Sequence, residues 1–164
     1  MLEQKVLSNQ MPIAIKDSKI DITYEKATKE LAKKFTKYLK GGEFIFLYGE
    51  MGVGKTTFVK YFINEFQNLN KLPQTEITSP TFSILNEYLI KKIKINHYDL
   101  FRLKSSAELK NLDLFSDRAN SITIVEWPEI IKEKPQNLIE LKFKYEKNYE
   151  KRSVQIKGLD LLFK

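Results

Sequence analysis

The sequence contains no cysteine and one histidine. Disulfides are therefore excluded, and so are thiolate zinc sites and a cysteine nucleophile. No apolar run approaches the ~20 residues that a membrane-spanning helix requires. The N-terminus shows no basic stretch leading into an apolar core and a small-residue cleavage site, so nothing marks it for export. The expectation is a cytoplasmic protein that does not enter a membrane. Its six glycines and five prolines in 164 residues exclude a low-complexity or collagen-like chain. No internal repeat or linker divides the sequence, and its length suits a single domain, 1–164.

The remaining composition is that of a packed, soluble protein: 42% hydrophobic and 30% charged residues. The formal net charge is +7. Such a balance suits an acidic partner or nucleic acid. The basic residues are scattered rather than gathered into a stripe, so solvated lysine accounts for them equally well.

The informative stretch is GEFIFLYGEMGVGKTTFVKYF, residues 42–62. Phe44–Tyr48 is continuously apolar, the pattern of a central parallel strand covered on both faces. A helix is expected from Lys55 to about Phe66, with Phe58, Phe62 and Phe66 along one side. Between them G-x-x-x-x-G-K-T is complete at Gly49, Gly54, Lys55 and Thr56. Strand, glycine-rich loop and helix in that order are the context this phosphate-binding pattern needs. Glycine lets successive N–H groups turn toward one anion, and the helix N-terminus adds its own unpaired donors. Lys55 supplies a charge for the β and γ oxygens, Thr56 a hydroxyl for Mg²⁺, and Thr57 a contact to the α-phosphate.

Elsewhere, Lys19–Glu25 alternates like a strand, and Glu25–Leu39 carries Ala27, Leu31, Phe35 and Tyr38 at helical spacing. Residues 1–19 read as a short arm or an edge strand. A strand-like piece is expected at Glu76–Thr78, followed by a turn at SPTF. Two strand candidates around Ser83–Ile90 and KKIKINHYDLF suit a hairpin turning at the lysine pair. A short helix is expected at Ser105–Leu114, a buried strand at Ile122–Val125, and further strands at Leu138–Tyr145 and Ser153–Ile156. The whole reads as an α/β fold, a P-loop NTPase-like three-layer sandwich with a mostly parallel sheet and antiparallel additions.

Hydrolysis requires carboxylates besides the loop. Glu126 ends a buried strand, where an acid has no packing role. Asp99 follows another strand candidate. Ser79 and Thr81, flanking Pro80, offer hydroxyls to phosphate, water or metal, although a plain Ser-Pro turn has the same sequence. His97 either orients a catalytic group or is structural. Trp127 packs beside the nucleotide or fills the core. Arg102 and Arg152 are candidate charge stabilisers, with surface ion pairing as the alternative. These residues leave three readings open: an ATP hydrolase, a small-molecule or nucleoside kinase, and a nucleotide-dependent binding switch.

Four segments together are more specific than the loop alone: GEMGVGKTTF, SPTF, HYDLFRL and VEWPE. In order and spacing they resemble the TsaE (YjeE) family, P-loop ATPases of bacterial tRNA threonylcarbamoyladenosine biosynthesis, across about Thr28–Trp127. The resemblance implies that Gly49, Glu50, Met51, Gly52, Val53, Gly54, Lys55, Thr56 and Thr57 bind ATP. It implies that Thr56 and Glu126 hold Mg²⁺, and that Asp99 and Thr81 join Lys55 and Glu126 in catalysis. Trp127, Thr28 and Arg152 match family positions near the nucleotide. Glu50 and Met51 stand where Asp-Leu is more usual, and Val53 where alanine is common. The implied partners are TsaD and TsaB, the subunits that transfer threonylcarbamoyl to adenosine 37 of tRNA, with tRNA itself touched indirectly or weakly. Activity without them is expected to be low. The sequence leaves the oligomeric state open.

Overall fold

A computed structural model describes residues 19–116 and 119–158. The N-terminal arm considered above lies outside them. The first strand, β1 (Lys19–Asp21), leads to helix α1 (Glu25–Thr36). Strand β2 (Phe44–Tyr48) enters helix α2 (Lys55–Leu69), and a hairpin follows, β3 (Leu85–Ile90) and β4 (Ile93–Asp99). After a single turn of helix, α3 (Ser106–Leu109), come β5 (Ser121–Glu126), β6 (Leu138–Glu146) and β7 (Lys151–Lys157). The sheet order is β1-β7-β6-β2-β5-β4-β3. Strands β6, β2, β5 and β4 are mutually parallel, while β3 and the β7–β1 pair add antiparallel edges. This is a P-loop NTPase-like three-layer sandwich. Among the described residues, no helix is long and apolar enough to cross a membrane.

Burial follows the sequence pattern. Phe44, Ile45, Phe46 and Leu47 alternate between two cores, so β2 is covered on both faces. On one face Ile45 and Leu47 meet α1 and α2 through Leu31, Phe35, Phe58 and Phe62. Phe58 is the hub of this core. Its ring centroid lies 5.4 Å from Phe35 of α1, 6.3 Å from Phe62 and 6.2 Å from Phe143 of β6. On the other face Phe44, Phe46, Tyr98 and Val125 pack against Leu114, Ile131 and their neighbours. That layer is built from short helical turns rather than long helices.

Three expected elements differ. Glu76–Thr78 joins no strand pair; Ile77 is buried, but the approach is fixed by side chains, with Gln67 bonding both the N–H and the hydroxyl of Thr75. The helix expected at Ser105–Leu114 is only α3 plus a 3₁₀ turn, Lys110–Leu112. Its start carries the capping box of Ser105 and Glu108, but Asp113 at φ 51° ends it. The strand over Lys19–Glu25 stops at Asp21, whose carboxylate accepts the Thr23 N–H and turns the chain toward α1.

Candidate active site

The carboxyl ends of β2, β4 and β5 meet at one edge of the sheet, and the loop Gly49–Gly54 runs from the first of them into α2. In a parallel sheet this is where ligand clefts form. Gly49 has φ 142°, and a Cβ there would stand 2.7 Å from the Phe143 carbonyl oxygen of β6. Gly54 has φ 118°, and a Cβ there would meet no protein atom within 4 Å. One glycine thus permits contact with the neighbouring strand, and the other leaves the inner side of the loop open. Gly54 is also the N-cap of α2, and no side chain caps that end. Its first N–H groups therefore face the cleft as anion donors.

Lys55 folds back into the loop. Its ammonium donates to the carbonyls of Gly49 (2.5 Å) and Glu50 (2.9 Å), and lies 4.0 Å from the Trp127 ring centroid. The residue is 4% exposed. Burial pulls its pKa below the ordinary lysine value, against the opposing pull of Glu126, Glu129, Asp99 and Glu50. The Trp127 backbone is left-handed, φ 58°, which turns the chain sharply after β5 and sets the indole against Phe101, 4.9 Å between centroids.

Thr56 donates its hydroxyl to the Glu126 carboxylate, 3.0 Å from either oxygen. Glu126 is 2% exposed and pairs with Asp99 across the β4–β5 ladder. His97 approaches from β4, its Nε2 2.8 Å from Glu126 Oε1. Asp99 accepts from the hydroxyls of Ser79 (3.0 Å) and Thr81 (2.8 Å) and from the Phe101 N–H (3.0 Å). The SPTF turn is thereby tied to the sheet edge.

Met51, Gly52, Gly54, Lys55, Thr56, Thr57, Thr81, Asp99, Glu126 and Trp127, with Ser79 and Phe101, line one open cleft of about 220 Å³. Gly49 and Glu50 supply the carbonyls that hold Lys55. Val53 lies buried beneath the loop. Two expected residues stand apart from this lining. Thr28 is buried within α1, and Arg152 lies on β7 with its guanidinium 5.5 Å from the Tyr145 ring centroid. Tyr145 in turn donates to the Met51 carbonyl at 3.4 Å, so the ring that Arg152 covers reaches the loop. Arg102 covers the exposed Phe82 ring at 5.2 Å rather than lining the cleft.

The donor set fits magnesium of the kind held mostly by phosphate and water. A hydroxyl and one carboxylate meet at the helix N-terminus, and such a pair suffices where nucleotide oxygens complete the octahedron. Among the described residues no group of three or more acidic or histidine side chains forms a cage for metal alone. Sequence reasoning did not find Phe101 or the Tyr145 contact. It left the role of His97 open, although the two-residue step from His97 to Asp99 already puts both on one face of a strand.

Fold and loop together define a P-loop NTPase-like protein. The family described as threonylcarbamoyl adenosine biosynthesis protein TsaE matches residues 22–154. The chain belongs to that family, whose members are P-loop ATPases. It is 40% identical over 129 residues to the tRNA threonylcarbamoyladenosine biosynthesis protein TsaE of Rickettsia bellii, covering 78% of this chain and 87% of that one. The TsaE of Aquifex aeolicus is 36% identical over 115 residues, 70% and 78% of the two chains. The crystal structure of Bacillus subtilis YdiB superposes with a TM-score of 0.66 over 94% of this chain and 95% of that one, at 23% identity, which speaks for the fold.

Proposed function

We propose that the protein is an accessory ATPase of tRNA threonylcarbamoyladenosine formation, a single cytoplasmic unit that works on a TsaD–TsaB complex. The observation carrying this reading is the convergence of Lys55, Thr56, Asp99 and Glu126 on one cleft at the N-terminus of α2. A bare nucleotide-binding loop requires no second carboxylate. Here Asp99 lies beside Glu126 and is fixed by three donors.

In this reading the loop N–H groups and Lys55 take the phosphates, Lys55 exchanging two backbone carbonyls for phosphate oxygens. Thr57 lies against the α-phosphate, while Thr28 and Arg152 stand outside the cleft lining. Thr56 and Glu126 would hold Mg²⁺, which would supply positive charge against the phosphates. Asp99 orients water for attack on the γ-phosphorus, and Thr81 links that acid to the SPTF turn. Trp127 keeps Lys55 at the mouth of the loop. Among the described residues no arginine lines the cleft, Arg102 and Arg152 lying outside it. This supports low turnover alone and stimulation when TsaD–TsaB completes the site. Any tRNA contact is then secondary.

The test is ATP turnover by the purified protein, alone and with TsaD–TsaB and tRNA, beside Lys55→Ala. A rate that climbs with the complex and vanishes in the variant is expected. An equal rate with and without the complex overturns the accessory role.

A further inference from the structure

We propose that His97 is a positioning residue that sets how tightly the site takes divalent cation, acting only through Glu126. The proposal rests on the reading of Thr56 and Glu126 as the magnesium pair.

His97 lies in the middle of β4, fully buried, opposite Ile124 of β5. Its neighbours on this face of the sheet are Ile95, Ile122 and Ile124 toward the core, Asp99 and Glu126 toward the cleft, and Asn86 opposite on β3. The imidazole leaves Nδ1 buried with no hydrogen-bond partner. A buried polar atom left unpaired is a cost to folding. What the ring gives in return is one bond, Nε2 to Glu126 Oε1 at 2.8 Å.

That bond has a definite effect on the carboxylate. The terminal torsion of a glutamate is broad, so its plane is poorly fixed by rotamer preference. Glu126 is held at two points, by the Thr56 hydroxyl and by His97. A cation bound between Thr56 and Glu126 takes the place of the hydroxyl contact. The His97 bond comes from the sheet behind and survives. It is therefore the contact that keeps a carboxylate oxygen aimed at the cleft in the loaded state. Groups that orient metal-binding side chains in this way change metal affinity by about 10–100-fold when removed.

The experiment measures ATP binding by calorimetry across a magnesium chloride titration, with a parallel arm in EDTA, for His97→Gln, His97→Asn, His97→Leu and Glu126→Gln. Thermal unfolding is followed for each. The glutamine amide reaches the place of Nε2 and can donate to Glu126. The asparagine amide reaches only the place of Nδ1. The expected result is a magnesium half-point about 10–100-fold higher in His97→Asn and His97→Leu, nearly restored in His97→Gln, with ATP affinity in EDTA unchanged. A role confined to packing would treat Gln and Asn alike, and equal half-points in those two overturn the proposal. So does an unshifted half-point in His97→Asn when Glu126→Gln is shifted. Should His97→Leu fail to fold, the Gln–Asn comparison still decides. If Glu126→Gln itself leaves the half-point unchanged, the magnesium pair is misassigned, and the role of His97 falls with it.

Discussion

Replacing Gly49 by alanine separates two costs that phosphate loops usually combine. Gly49 sits at φ 142°, where an L-residue is strained. Its added Cβ would also stand 2.7 Å from the Phe143 carbonyl oxygen and 3.0 Å from both Phe143 Cβ and Val53 Cγ1. The nearest of these atoms is backbone of β6, so relief requires β2 and β6 to part just beyond their Tyr48–Lys142 register. Strain of about 1–3 kcal/mol and overpacking of about 1–3 kcal/mol add to roughly 2–6 kcal/mol. Gly52→Ala is the control. Its φ of 76° is also strained, but its new Cβ would meet only the Tyr145 hydroxyl at 3.2 Å, the far end of a side chain. Strain alone predicts about 1–3 kcal/mol there. For a chain of this size each kcal/mol lowers the melting temperature by about 2–4 °C, so Gly49→Ala should melt roughly 2–12 °C below Gly52→Ala. Circular dichroism melts of both variants and the parent provide the measurement. Coincident melting of the two variants would refute the claim that β6 crowds this glycine.

Three further outcomes are expected. Phe58→Ala empties the hub between α1, α2 and β6 and should cost about 3–5 kcal/mol in urea unfolding, far more than an exposed substitution. Asp99→Asn should lower ATP turnover by about 10²-fold or more while calorimetric ATP affinity holds, because it removes a charge but retains an acceptor for Ser79 and Thr81. Burial raises the pKa of Glu140, but bonds from Lys134 and Tyr48 outweigh it and leave the group below its ordinary value of 4.5. A depressed carboxylate stabilises the fold fully above that value and loses the contribution as pH falls through its lower folded pKa. Glu140→Gln should therefore flatten the acid limb of a stability–pH profile and leave the shape of its neutral limb unchanged.

Much of the site was legible because local pattern and tertiary role coincide there. The apolar run of β2 is a strand buried on both faces, and the glycine loop needs no distant contact to declare its chemistry. Helix α2 begins at Lys55 as expected and runs on to Leu69. Glu126 stood out as an acid with no packing role at the end of a buried strand, and Asp99 as an acid following another strand candidate. What stayed hidden depends on register. His97 meets Glu126 across 29 residues, and only the β4–β5 ladder determines which side chains lie diagonally opposite. Tyr145 reaches Met51 across 94 residues for a similar reason. Glu76–Thr78 has a strand-like composition, yet it joins no strand of the sheet and is tied to β3 by a side chain, the Asn86 amide donating to the Thr78 carbonyl. The segment after Ser105 has the start signal of a helix, but a left-handed Asp113 turns it aside.

The tryptophan is unique in the sequence, and its indole lies 4.0 Å from the ammonium of Lys55. Near-ultraviolet emission excited at the red edge of indole absorption therefore comes from one point in the molecule. On the reading proposed above, a phosphate that drew the ammonium away would change the field across that ring, and the emission with it. The protein would then carry its own optical probe of an occupied cleft, requiring no label and silent to events that do not reach this residue.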